Sequence, residues 1–493
     1  MATLGCSVIP ASTTPGQTGA AELAAPESWV FVSINLRPGP TQLLHANQLA
    51  DVFTSQPGFE HAMEHLVEDS PVGSTDLLGE SLPLLNGEVA MSASGQLDSD
   101  PHLLLTAQSS DPTRLLSLYR APDKLPPGTP IRTGEGIYTL RSGLFGAAYK
   151  GWAVISDDIS TLQNALDRLD GATSLSLAHE RPFQSLVERL PTERAAYAYV
   201  DGGRLFDVFG QESTIARDSA DLQPLRPAAG PRAVSATLTS DGVELHGEGM
   251  LAVAGDSAVA GEVDARAAFA QLPPDTLVAY GGTDPPGRLG GLTSVLNSSA
   301  GESFVAPEVA SVLGAMVDQL GGSFAVGLSA GTLGEPNGAP SLYLVGAGSD
   351  QNDLAGIEAL LPPKSVGQIE VDGRLLNQVT TAPAGTLSYG SIDNWLYLIS
   401  GDPEPVVTAA DVGGLEANAR YQMVRSHLTS GGPDLFVDLE GARVALEERQ
   451  AAEEVAMYEQ ADRPLFTPLR AFGGNTSRDR NGEEHSQALL IIR

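Results

Sequence analysis

Short apolar runs of strand length alternate along this chain with segments whose apolar residues recur every three or four positions. Trp29 to Asn35, rich in β-branched residues, predicts a strand. Leu43, Ala46, Ala50 and Phe53 then fall at helical spacing, and a second amphipathic helix is predicted from Phe59 to Val67. Glu88 to Ser92 and Leu103 to Thr106 read as two strands joined by a Gly/Asp/Ser turn, followed by a short helix around Leu115 to Tyr119. Further strands are predicted at Ile137 to Leu140 and Trp152 to Ser156, the latter leading into a helix capped by Asp157 or Asp158. Leu186 to Leu190 reads as helix. Ala196 to Asp201, Ala233 to Leu238 and Val243 to Val253 read as the closing strands.

The second half repeats this order. Leu272-Pro273-Pro274-Asp275 leads into an apolar run from Leu277 to Tyr280. Phe324 to Gly327 and Leu342 to Val345 stand where Glu88 to Ser92 and Leu103 to Thr106 stood. Trp395 to Ser400 echoes Trp152 to Ser156, and Phe436-Val437-Asp438 echoes Tyr199-Val200-Asp201. Partners lie about 235 to 248 residues apart throughout, the mark of an internal repeat. The pattern predicts an N-terminal tether over residues 1–25, a first repeat domain over 26–254, a linker helix over 255–272 and a second repeat domain over 273–493. Strands joined by both hairpins and helices predict an α+β fold with mainly antiparallel sheets, covered by helices on one face. A cleft between the halves is an expected ligand site.

Composition narrows the function classes. The 493 residues exceed what one core usually organises, and 42% hydrophobic residues suffice for packed domains. Fifty-four glycines and 34 prolines suit a chain rich in turns. The net charge of -33 repels phosphate backbones and anionic headgroups, which argues against nucleic acid as a partner. No apolar run approaches the roughly 20 residues that span a bilayer as a helix.

The one cysteine, Cys6, follows Leu4-Gly5 and precedes a Ser/Thr/Pro/Gly stretch up to Ala25. A small residue before Cys and a polar tether after it are how a mature bacterial lipoprotein begins. Cys6 is therefore the expected lipidation site, and a lipid there is the expected membrane contact.

Two motifs invite an enzyme. His61-Ala62-Met63-Glu64-His65 matches H-x-x-E-H, in which two histidines a helical turn apart bind zinc and the glutamate acts as base. At about 100° per residue, His61, Glu64 and His65 share the face opposite Ala62, Met63, Leu66 and Val67. A solvated helix has the same pattern, and the third carboxylate such a site needs is lacking, because Glu135 lies in Gly-rich sequence. Gly327-Leu328-Ser329-Ala330-Gly331 matches G-x-S-x-G, but a nucleophile elbow needs a helix behind the serine, and here Gly and Pro follow. The segment reads as a hairpin exit matched by Ser92-Ala93-Ser94-Gly95. No catalytic residue, metal or cofactor is expected from these readings.

Several of these segments together carry a family resemblance. They are Asn35-Leu36-Arg37-Pro38, the Pro57-Gly58-Phe59 turn, Leu84 to Ala90, Ile155-Ser156-Asp157 before a helix, and Leu190-Pro191 before the Tyr-Val-Asp strand. Together they resemble the bacterial family called domain of unknown function 3352, over most of the chain after Pro26. The resemblance implies an exported or membrane-anchored protein without an assigned activity, and it supplies no catalytic residues. The expectation is an extracytoplasmic, lipid-anchored binding or scaffolding protein whose partner is a protein or small molecule. A zinc-dependent hydrolase built on His61, Glu64 and His65 and a structural envelope component are the alternatives.

Overall fold

The computed structural model of the protein describes residues 19–68, 79–95, 101–119, 137–140, 143–172, 175–205, 230–250, 265–283, 289, 316–317, 320, 322–331, 341–348, 366–381, 385–428, 432–449, 458, 462–479 and 483–493. Nineteen strands among them form one sheet. The first nine are β1 (Val30–Asn35), β2 (Leu85–Ser94), β3 (His102–Ser109), β4 (Ile137–Thr139), β5 (Phe145–Tyr149), β6 (Trp152–Ser156), β7 (Ala196–Asp201), β8 (Pro231–Leu238) and β9 (Gly242–Met250). The next five are β10 (Thr276–Gly282), β11 (Phe324–Ser329), β12 (Ser341–Ala347), β13 (Val366–Val371) and β14 (Arg374–Thr381). The last five are β15 (Gly385–Ile392), β16 (Trp395–Ser400), β17 (Leu435–Val437), β18 (Leu469–Arg478) and β19 (Glu483–Ile492).

Every pairing is antiparallel, and the fold is α+β as the alternating pattern predicts. Followed from one edge, the order is β4-β5-β6-β3-β2-β1-β7-β8-β9, then β19-β18-β17-β10-β11-β12-β16-β15-β14-β13. Read outward from the β9–β19 ladder, the two series run alike: closing hairpin, Tyr-Val-Asp or Phe-Val-Asp strand, opening strand, hairpin, then the tryptophan strand. Along the ladder Glu248 faces His485 and Glu244 faces Leu489, so the middle pair is His246 with Gln487.

Hairpin geometry explains the outer strands. Lys150-Gly151 joins β5 to β6 with both residues at positive φ (47° and 83°), and Asp393-Asn394 joins β15 to β16 in the same way (49° and 69°). Asp372-Gly373 (50° and 73°) joins β13 to β14. Two-residue turns of this kind match the twist of the strands they join. The strands β5, β13, β14 and β15 were not expected from apolar runs. They carry many polar and small residues, and their signal lies in the Lys150-Gly151, Asp372-Gly373 and Asp393-Asn394 turns.

The expectation of helices on one face is corrected. Trp152 and Val154 of β6 point into one core while Ala153 joins another, so both faces are packed there. β16 does the same, with Tyr397 and Ile399 on one side and Leu396 and Leu398 on the other. A strand buried on both faces reads as a continuous apolar run. The larger core of the first half lies under the helices Ile159–Leu169 and Arg181–Val187 and contains Phe31, Leu166 and Tyr197. Asp158 caps the first of these helices by accepting from Thr161 N at 2.7 Å. The opposite face of its outer strands is covered by the helix Pro112–Tyr119 through Leu115 and Leu116.

Residues 19–25, which the sequence pattern puts in the tether, belong to the core. The helix Gly19–Leu23 buries Ala20, Ala21 and Leu23. Its Ala20 N donates to Glu88 Oε2 (2.9 Å), and Ser33 donates to Glu88 Oε1 (2.5 Å). In the second half the helix Arg266–Phe269 is likewise packed in the core through Ala268 and Phe269. Residues 1–18 and 251–264 lie outside the described residues. No helix among the described residues is long and apolar enough to cross a membrane.

Candidate functional site

The structure scatters the residues that invite an enzyme. His61 and Glu64 lie on the helix Phe59–Glu68, whose Ala62 is buried, and their side chains are 53% and 60% exposed. His61 Nδ1 and Glu64 Oε2 are 3.7 Å apart, a surface contact of modest energy. His65 lies in the same helix, and Glu135 and Cys6 lie outside the described residues. Ser329 ends β11, pairs across the hairpin with Ser341, and is buried. Its hydroxyl meets the Tyr343 hydroxyl at 2.8 Å. Burial raises the Tyr343 pKa above the usual phenol value. Ser329 sits at the hairpin exit that its Gly/Pro-rich surroundings predict.

A charged cluster that sequence spacing did not suggest lies on the β9–β19 ladder. Asp479, Glu483 and His485 bring ligand-type atoms within 4.8 Å of one another, the one such trio among the described residues. These groups already serve one another and their neighbours. Arg189 reaches Glu483 at 2.5 Å, and His485 Nδ1 meets Glu248 at 2.9 Å. In the middle of the ladder Gln487 donates to Glu244 (2.6 Å), and at its other end Asp241 faces both Arg493 (2.9 Å) and His427 (3.4 Å). The Arg493 guanidinium beside Asp241 holds its carboxyl below the usual range, with help from His427. The cluster is an ion-pair lattice that stitches the two series of strands together. Where a cleft was expected between the halves, there is a hydrogen-bonded ladder.

One surface differs from all this in being apolar and open. Leu105, Met91, Val32, Ala198 and Val234 stand side by side across β3, β2, β1, β7 and β8, on the face opposite Phe31 and Leu104. Leu105, Met91 and Val234 are 38–40% exposed, and Leu103 and Ile34 of the same face are more so. The matching row of the second half is Leu344, Val326, Tyr280, Leu435 and Gly474. There Leu289, Met316, Val317 and Leu320 close over Leu344, Val326 and Tyr280, and Leu344 is 1% exposed.

The family model DUF3352, proteins of unknown function, matches residues 127–491, about three quarters of the chain. This chain belongs to the DUF3352 family. The match begins before β4 and runs through β19, so it takes in both the open face's β7 and β8 and its covered counterpart. No curated protein matches the sequence. Among solved structures the chain is similar to crystal form I of TP0453, at 10% identity and a TM-score of 0.25, over 48% of this chain and 81% of that one. Crystal form III of TP0453 gives 10% identity and a TM-score of 0.24. Likeness at that level carries no argument about this DUF3352 member.

The open face was hidden in the sequence because Leu103-Leu104-Leu105 reads as a strand buried on both sides. What distinguishes it is the segment after the opening strand. In the first half that segment forms the helices Pro40–Thr54 and Phe59–Glu68. Gln42 exchanges two hydrogen bonds with Leu238 (2.7 and 3.0 Å), and Phe59–Glu68 packs against the helix Arg463–Phe466 of the second half. The helix Pro40–Thr54 thus meets the sheet at β8, the row's last strand, while Leu105 and Met91 on β3 and β2 stay 38% exposed.

Proposed function

We propose that this DUF3352 member is an extracytoplasmic protein, anchored by a lipid on Cys6, that binds or scaffolds a partner and does no chemistry of its own. The observation that carries the binding reading is the apolar row on β3, β2, β1, β7 and β8, left open while its counterpart is closed. Exposed apolar surface on a soluble domain costs solubility, and its usual use is contact with another molecule. The anchoring reading rests on Gly5-Cys6 and the polar stretch behind it. The repeated strand order and the matching Lys150-Gly151 and Asp393-Asn394 turns support a tandem duplication, in which one half has a closed face and the other an open one.

Two measurements test this. Metal analysis of the purified protein is expected to find no stoichiometric zinc. Zinc at one equivalent that disappears in His61→Ala would replace the non-catalytic reading with a hydrolase. Mass spectrometry of membrane fractions from cells expressing the gene with its upstream sequence is expected to find lipid on Cys6. A soluble cytosolic chain with unmodified Cys6 would remove the anchor.

A further inference from the structure

We propose that the open row of the first half docks one amphipathic helix of a partner protein, a helix with basic residues on its polar side. This rests on the binding reading above and names the partner's chemistry. The counterpart face shows what such a row accepts. Met316 and Val317 form helical backbone, and Leu320 lies with them against Leu344, Val326 and Tyr280. The first half presents Leu105, Met91 and Val32 at the same register positions, and there Leu105 and Met91 are 38% exposed.

The dimensions agree. Strands about 4.8 Å apart put β3, β2 and β1 across about 10 Å, the width of one helix with its side chains. Leu103 and Leu105, two residues apart on β3, are about 6.7 Å apart. That is close to the rise of about 6 Å between residues i and i+4 of a helix, so successive knobs of one stripe meet successive rows. A helix-in-groove contact of this kind needs apolar anchors at i, i+3 or i+4, and i+7.

Charge selects among occupants. With a net charge of -33, a second copy of this chain is repelled, and so is an anionic lipid surface. A helix with Lys and Arg on its outer side is attracted, and its encounter is accelerated at low salt. On the row itself the ion pair of Arg232 with Glu484 (3.4 Å) borders the apolar residues, so the row's far end is polar and already satisfied.

The test uses the full chain and a designed helical peptide of about 18 residues, roughly five turns, with a Leu/Met stripe and a Lys-rich polar side. Two control peptides have the same stripe with Glu in place of Lys, or the same composition in scrambled order. Calorimetric titration is expected to show binding of the first peptide, at least about tenfold weaker binding of the acidic one, and none of the scrambled one. Met91→Asp and, separately, Leu103→Lys are expected to weaken the first peptide at least about tenfold. Both positions are exposed, and an unchanged urea midpoint confirms that each variant folds. Equal binding by the scrambled peptide, or indifference to both substitutions, overturns the proposal. Phosphatidylcholine vesicles and sedimentation at high concentration separate the other occupants. Vesicle binding or a dimer that Met91→Asp abolishes would overturn the helix and leave the binding reading standing. No change in any of these probes on substitution would overturn both.

Discussion

Leu105 and Leu344 occupy the same place in two series of strands that pair in the same order, yet one is 38% exposed and the other 1%. Their strands are alike in length, direction and neighbours. The difference lies in the connection between the first and second strand of each half. In the second half that connection supplies Leu289, Met316, Val317 and Leu320 to the core. In the first its described residues form two helices that reach Leu238 and the helix Arg463–Phe466, and Gly58 lies against Pro464. A sheet of this kind is held by its backbone ladder whether or not one face is covered. The cover is therefore free to differ between the two halves.

If the two faces differ as described, identical truncations have different costs. Leu344→Ala removes a fully buried side chain under a closed cover and is expected to lower stability by about 2–5 kcal/mol. Leu105→Ala removes a side chain that already meets water and is expected to cost about 0.5 kcal/mol or less. Urea denaturation of both variants reads the difference directly. Equal losses would mean that the first face is closed in solution and would end the comparison.

Much of the sheet was legible, because β-branched and aromatic runs such as Trp29 to Asn35 and Trp395 to Ser400 can only be strands of that length. The order of elements was legible for the same reason, and so was the Asp158 cap. The polar strands β13 to β15 were not, since their signal is the turn residues Asp372-Gly373 and Asp393-Asn394 rather than apolar alternation. Nor was the joining of β9 to β19. A closing strand with one solvated edge and one with a partner have the same alternation, and only the pairing groups Glu248, His485 and Gln487 differ. The candidate site was the least legible part. A run such as Leu103-Leu104-Leu105 states that both faces are apolar, but whether a face is covered depends on where a connection dozens of residues away comes to rest.

A second matched pair sharpens the comparison at the helix starts. Asp438 is 4% exposed; it accepts from Arg420 at 2.8 Å and caps the helix Leu439–Arg449 through Gly441 N at 2.7 Å. Asp201, at the same place after its Val, is 19% exposed and meets Arg204 at 3.3 Å. Asp438→Ala leaves a part-buried guanidinium with one acceptor fewer and an uncapped helix, and is expected to cost about 2–4 kcal/mol. Asp201→Ala loses a more solvated contact and is expected to cost about 1 kcal/mol. A larger loss at Asp201 would show that the first half depends on its ion pairs as much as the second.

The smallest effect expected is one of pH, and it too belongs to one half. Glu88 stands just before Val89 on β2, and its counterpart, which does not titrate, is Ser323, just before Phe324 of β11. Burial raises the Glu88 pKa above the usual carboxylate value, against the hydrogen bonds from Ser33 and from Ala20 N. A carboxyl raised in the folded chain holds its proton more tightly there than in the unfolded chain. Its favourable share is complete below the unfolded pKa and is lost as pH rises through the folded one. Glu88→Gln keeps the length of the side chain and an acceptor for Ala20 N but cannot ionise. The stability of the native protein relative to Glu88→Gln is therefore expected to fall as urea midpoints are followed from about pH 4 to about pH 8. The same comparison with Ser323→Ala is expected to give a difference that does not move with pH. A constant offset for Glu88→Gln as well would mean that the Gly19–Leu23 helix rests on its buried alanines and Leu23, with the carboxylate solvated beside it.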